Sequence, residues 1–344
     1  MVQPSLSKRD TPRPSDLVEV KLLPIKTLSD YQWTKGQISE VCNIADKVAD
    51  GGPRNEFGAY TVFKLVSVKY YSEVFFKVAR ASGRKGEGFD GAVYVDLFAG
   101  SGLVRIADTK DTVAGSAICA LQNKFGFDYA VCVEIRKDLA NALRKRLARI
   151  SSKDRFQVIE GDCNQCIGQV VDSIRERFTR PIVYAFVDPE GMEIKWRTLK
   201  SLSDHFLNTD FMITVPPSAT HRVGGKLAKG IDEVKMTFEE YWNQDAKEVL
   251  AELADGVAPE NKYQKMVSEA LGKVAGENIP IRDAGDRIAY YVLGYTRSTR
   301  GGSGYSNAFR YLKERLSKAD RQLSISILDQ IKKRAGTLES ASGS

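Results

Sequence analysis

The chain has 344 residues, of which 42% are hydrophobic, 28% charged and 9% aromatic, an ordinary globular composition. Roughly three quarters of the unfolded surface is buried at this size, so no disulfide or metal staple is required. No 18-residue apolar run is present, which excludes a membrane span, and 51 Lys and Arg against 44 acids give a net charge of +7 that favours an anionic partner only moderately.

In chain order, residues 1–26 combine prolines with mixed charge and read as an extended arm whose polar start is no secretory signal. Helical spacing runs from Leu28 to Ala49, through Trp33, Ile38, Val41, Ala45 and Val48, and Gly51-Gly52-Pro53 stops it. A second helix, dense in aromatics, is predicted from Tyr60 to Ala81. From Ala92 onward, short apolar runs alternate with amphipathic segments, the pattern of parallel strands joined by crossover helices. The strands are expected at Ala92–Leu97, Tyr129–Val133, Phe156–Ile159, Ile182–Val187 and Phe211–Val215. The helices between them are expected near Val113–Lys124, Lys137–Ile150, Gln165–Phe178 and Trp196–Leu207.

Residues 217–278 interrupt the alternation with helical patterns near Phe238–Ala254 and Asn261–Ala275, and their 231–260 portion holds nine acids and two bases. Ile279–Asp283 and Arg287–Thr296 read as a hairpin around Gly285-Asp286. Residues 297–334, with ten bases and three acids, are mostly helical after a Gly301–Gly304 loop, and the last ten residues read as tail.

Chemistry concentrates at the strand ends, where open α/β sheets bind ligands. Asp96 closes the first strand and opens Asp96-Leu97-Phe98-Ala99-Gly100-Ser101-Gly102, a glycine turn that lets backbone approach a ligand closely. Glu134, Asp162 and Asp188 lie at the ends of the next three. A dinucleotide fingerprint needs a third glycine and an acid about 20 residues on; here Arg105 stands in the glycine's place and Glu134 lies 32 residues past Gly102. No Walker A loop is present, since Gly225-Lys226-Leu227 fails the pattern. The five cysteines, Cys42, Cys119, Cys132, Cys163 and Cys166, are odd in number and mostly in apolar runs, as reduced thiols of a cytoplasmic protein are. Cys163-x-x-Cys166 is a lone pair and the histidines are only His205 and His221, so no metal site is expected.

An acid before the glycine loop and another ending the next strand resemble class I S-adenosylmethionine (SAM) methyltransferases. In order, Val95–Gly102, Gly115–Leu121, Val133-Glu134, Gly161–Asn164, Phe186–Gly191 and Trp196 resemble the three-Cys-motif partner family of methyltransferase-like proteins. Ser101, Ala117 and Glu190 depart from that family's usual residues, and the likeness covers roughly 92–222.

The resemblance implies a class I methyltransferase-like, Rossmann-like α/β fold. It has seven mostly parallel strands with helices on both faces, an N-terminal helical segment and a helical insertion after strand five. The expected division is an arm over 1–26, a helical segment over 27–90 and a SAM-binding core over 91–216. An insertion over 217–278, a closing hairpin over 279–300 and basic helices with a tail over 301–344 complete it.

Asp96, Phe98, Ala99, Gly100, Ser101 and Gly102 are then expected at the cofactor. Glu134 would take the ribose diol, Asp162 and Cys163 the adenine edge, and Asp188 the methyl end. Asp188, Pro189 and Glu190 are the candidate catalytic residues; the aromatic that follows such a proline in amino methyltransferases is absent. Arg144, Lys145 and Arg149, with the basic C-terminal helices, are candidates for contact with nucleic acid, and a protein partner is implied. The expected activity is SAM-dependent methyl transfer, most naturally to nucleic acid. A SAM-binding effector without transferase activity is the alternative, and an NAD-dependent oxidoreductase a weaker one.

Overall fold

A computed structural model describes residues 27–84, 88–283, 287–297 and 304–342. The expected arm at 1–26, the Gly285-Asp286 turn and residues 301–303 of the expected glycine loop lie outside them.

Helix α1 (Leu28–Asp46), strand β1 (Asn55–Phe57) and helix α2 (Thr61–Arg84) precede the main sheet. Strand β2 (Gly91–Asp96) runs into the glycine loop, and β3 (Leu103–Ile106) and β4 (Thr112–Ala114) lead to the short helix α3 (Ser116–Leu121). Three strand–helix units follow: β5 (Tyr129–Glu134) with α4 (Lys137–Ile150), β6 (Phe156–Glu160) with α5 (Cys163–Arg175), and β7 (Pro181–Val187) with α6 (Trp196–His205). After β8 (Thr209–Val215) come α7 (Pro217–Ala228), α8 (Lys235–Trp242), α9 (Ala246–Ala254) and α10 (Pro259–Leu271). Strands β9 (Val274–Ala275), β10 (Ile279–Arg282) and β11 (Ile288–Thr296), then helices α11 (Gly304–Leu316) and α12 (Arg321–Ser342), complete the described chain.

The main sheet has the order β10-β11-β8-β7-β2-β5-β6, with β9 paired to the far end of β11. Strands β6, β5, β2, β7 and β8 are mutually parallel, and β11 runs antiparallel to both β8 and β10. This is the Rossmann-like, class I methyltransferase-type sheet, with one reversed strand next to the edge. The chain adds strands to one side of β2 through β6 and then crosses to β7 on the other. The crevice between β2 and β7 is therefore the topological switch point, where such sheets hold their ligands.

Strands β2, β5, β7 and β8 are buried along their whole length, as parallel strands covered on both faces must be. The side-chain period of two splits their residues between two cores. Tyr94, Tyr184, Phe186 and Met212 face α2, whose Phe63, Tyr71, Phe75 and Phe76 pack there with Phe309 of α11. Val93, Val95, Val183, Ala185 and Val187 face α5, α6 and the α8–α10 helices, with Leu199, Phe238, Trp242 and Tyr263.

Four expectations need correction. The pattern at Val113–Lys124 is not one helix: Val113 belongs to β4, and α3 ends at Leu121. Strands β1, β3 and β4 form a small separate sheet, β3 parallel to β1 and antiparallel to β4. The pattern at Phe238–Ala254 breaks at Asn243, which takes a left-handed φ of 50° and divides α8 from α9; Ala275, read as helical, is in β9. The terminal residues read as tail are helical as far as Ser342. No helix among the described residues is long and apolar enough to cross a membrane.

Candidate active site

A cleft of about 960 Å³ opens at the carboxyl ends of β2, β5, β6 and β7. Its floor is the loop after β2, which Leu97 N–H anchors to the Phe186 carbonyl (3.1 Å) and Ala99 N–H to the Val133 carbonyl (2.9 Å). Gly100 and Gly102 take φ values of 59° and 80°, a region other residues enter only with strain. A Cβ on Gly100 would sit 2.7 Å from Asn55 Oδ1, the atom that receives Ser101 N–H. The strand β1 thus pins the loop from outside the main sheet. Gly100→Val is accordingly expected to push the loop off Asn55 and abolish ligand binding at the cleft; titration with SAM checks this, and wild-type affinity in the variant contradicts it.

Of the residues expected to bind a cofactor, Phe98, Ala99, Gly100, Gly102, Glu134, Asp162, Cys163 and Asp188 line this one cleft, together with Pro189 and Glu190. Glu134 accepts Arg136 N–H at 2.8 Å on one carboxylate oxygen; burial raises its pKa, opposed by backbone hydrogen bonds from Arg136 and Gly100. Asp162 caps α5, and both its bonds to Asn164 fall on Oδ1, at 2.9 Å each. Asn164 in turn donates to the Glu193 carbonyl (2.8 Å) and accepts from Lys195 N–H and Thr198, tying the loop after β7 to the start of α5. Cys163 is buried on the wall, and burial pushes its thiol up to about 12, so it is no thiolate nucleophile.

Two expected contact residues lie off the wall and act through the loop instead. Ser101 is fully buried and donates to the Leu103 carbonyl (2.8 Å). Asp96 is fully buried beneath the loop, accepting Tyr94 hydroxyl (2.9 Å) and Phe98 N–H (3.2 Å). Burial raises its carboxyl to about 6, with hydrogen bonds from Ser116 and Tyr94 opposing. Asp210, on β8, is also buried and raised to about 6.

A carboxyl raised on folding destabilises the protein as pH climbs from its unfolded value, about 3.9, through its folded one, with no further change above. The lowered carboxyls of Asp50 and Asp108 have the opposite sign and act at lower pH. Stability should therefore carry a falling component between about pH 4 and pH 6. Asp96→Asn should remove its share, read by denaturant titration across that range; an unchanged slope contradicts the assignment.

Sequence reasoning missed the cation at the heart of the cleft. Lys64, on α2, is 7% exposed and pairs with Asp188 Oδ2 at 2.5 Å, while Asp188 Oδ1 accepts Thr214 hydroxyl at 2.6 Å. Its ammonium lies 5.0 Å from the Tyr290 ring centre and 5.5 Å from that of Phe57. The available signal was a lysine inside a helix whose neighbours Val62, Phe63, Leu65 and Val66 are all apolar, where a charge demands a partner.

The basic residues of α4 are engaged in part by the chain itself, while Lys137, Lys145 and Arg149 are exposed. Arg146 is fully buried, bonded to Asp50 (2.5 Å) and to the carbonyls of Pro53 (2.9 Å) and Ser101 (2.8 Å). Arg149 donates to the Val48 and Ala49 carbonyls and Arg144 to that of Val158, while Lys145 stays exposed. On the C-terminal helices, Lys313 pairs with Glu277, Arg315 with Asp30, Arg321 with Asp108 and Lys332 with Asp111.

No family model matches the chain and no curated protein matches it. Among solved structures, it is similar to protein LPL1258 from Legionella pneumophila at 12% identity, over 73% of this chain and 93% of that one, with a TM-score of 0.40. A methyltransferase from Geobacter sulfurreducens is similar at 10% identity over 66% and 78%, with a TM-score of 0.33. Precorrin 8w decarboxylase from Methanobacterium thermoautotrophicum is similar at 14% identity over 64% and 90%, with a TM-score of 0.31.

Proposed function

We propose that the protein is a SAM-dependent methyltransferase. One observation carries this reading: three strand-end carboxylates, Glu134, Asp162 and Asp188, surround a glycine loop of positive φ in a single cleft at the switch point of the sheet. The residues present fit the cofactor. The loop offers backbone without side chains at Gly100 and Gly102, the Glu134 carboxylate is a bidentate acceptor suited to a diol, and Asp162 keeps Oδ2 for an exocyclic amine. Ile135, 68% exposed at the cleft mouth, gives a flat ring an apolar surface.

When bound, the cofactor supplies an electrophilic methyl group on a positively charged sulfur. The chain's own contribution is placement: the loop and Glu134 fix one end, and Asp188 presents negative charge to the other. Holding two reactants in line supplies several kcal/mol of the barrier without any further chemistry. An NAD-dependent reaction is disfavoured because Arg105, in the position of the third fingerprint glycine, lies in strand β3 rather than at the start of a helix.

A nucleic-acid acceptor and a protein partner, in keeping with the resemblance to the three-Cys-motif partner family, extend the proposal. Their support is the net charge of +7, with Lys137 and Lys145 exposed on α4. The remaining bases named above are engaged by the chain's own acids and carbonyls. The test is incubation with methyl-labelled SAM and separate RNA, DNA, protein and small-molecule fractions of a cell extract. Label is expected in one fraction; SAM binding with no transfer to any of them favours the effector alternative.

A further inference from the structure

Resting on the methyl-transfer reading, we infer that the acceptor atom is a hydroxyl oxygen bonded to Lys64 and Asp188 together, beside their direct contact, and that these two residues form the catalytic pair. The geometry places a donor-only group against an acceptor-only group on one wall of the cleft. Lys64 Nζ has three N–H bonds, one of them given to Asp188 at 2.5 Å, and Asp188 is itself fixed from behind by Thr214 at 2.6 Å. The rings of Phe57 and Tyr290 flank the ammonium, and the Tyr60 ring packs on Tyr290 with centroids 5.9 Å apart, so the surroundings are apolar.

Counting lone pairs decides the acceptor, once a thiol, with the same count, is set aside as a weak donor and weak acceptor. A hydroxyl has one proton to donate and two lone pairs. It accepts from Lys64 with one, donates its proton to Asp188, and keeps the second lone pair for the methyl carbon. A neutral aliphatic amine has a single lone pair, which a bond from Lys64 would consume; a protonated amine is repelled by the ammonium, and a carboxylate by Asp188. As the oxygen–carbon bond forms, the carbon–sulfur bond breaks with its electron pair left on sulfur, and the hydroxyl proton passes to the Asp188 carboxylate. An ether, a neutral thioether and a protonated Asp188 result, which balances charge and atoms. Lys64 supports the step by drawing electron density toward the oxygen and by keeping Asp188 in place.

The hydroxyl could belong to the ribose of RNA, to a protein side chain or to a small molecule, and the fractions described above separate these sources. The deciding measurement is the chemistry of the label on whichever fraction the wild-type protein methylates. Hot hydriodic acid should release it as volatile iodomethane after it has survived mild alkali, as an O-methyl ether does. Label retained on nitrogen, carbon or sulfur, or lost to alkali as from a methyl ester, overturns the proposal. Lys64→Met should still bind SAM by calorimetry and lose at least about a hundredfold in transfer at saturating SAM; unchanged transfer overturns it too. If that variant does not fold, the product chemistry of the wild type still decides. SAM binding without any labelled fraction overturns this proposal together with the transferase reading, whereas N-linked label overturns the hydroxyl alone.

Discussion

Arg146→Ala is expected to cost about 3–5 kcal/mol of stability, the range for breaking a buried pair by removing one partner. Arg146 looks on paper like one base among several on an amphipathic helix, yet no part of it reaches solvent. Its guanidinium joins three separate pieces of chain: Asp50 after α1, Pro53 before β1, and Ser101 in the glycine loop. Removing it leaves a cavity, two carbonyls without their donor and a carboxylate without its cation. The Arg146 bond is also the main reason the Asp50 carboxyl sits below the usual range. The stabilisation is thus present above the unfolded carboxylate value and fades as pH falls through the folded one. Denaturant unfolding at pH 7 measures the loss; a change under 1 kcal/mol would show that the network contributes little. Because Ser101 belongs to the loop, a folded variant is also expected to bind SAM more weakly.

Asp188→Asn is expected to fold, to retain SAM binding and to lose transfer by about a hundredfold, near 2.7 kcal/mol of barrier. The amide still accepts from Thr214 through its oxygen. It cannot take a proton from the acceptor, and its NH2 faces the Lys64 ammonium, so a donor meets a donor where a charge pair stood. Were Asp188 only a structural prop, the larger effect would fall on stability and the rate per folded molecule would persist. Measuring transfer and unfolding on the same preparation separates the two outcomes.

The main sheet was legible because strands covered on both faces read as near-continuous apolar runs, and Ala92–Leu97 and Ile182–Val187 are of strand length and alternate with amphipathic segments. The acids at their ends were legible as charges at or just past those runs, although Asp96 is itself fully buried and Asp162 lies two residues beyond β6. The small sheet was not. Strand β3 has four residues and β4 three, and β3 pairs with Asn55–Phe57 across some fifty residues, a contact no local window reports. The roles of Lys64 and Arg146 were hidden alike, since composition shows a charge but not whether a carboxylate waits 124 or 96 positions away. The partners of the basic residues were hidden for a related physical reason: arginines on helix faces also bind carbonyls of their own chain, and Arg149 and Arg144 do so here.

Calorimetric titration of the wild-type protein and of Glu134→Ala with SAM tests the central claim most directly. The account predicts one site on the wild type. In the variant, affinity should fall by about 1–3 kcal/mol, roughly 5- to 150-fold, because two ligand hydroxyls lose their acceptor. No heat of binding with the wild type, or equal affinity in the two proteins, would contradict it.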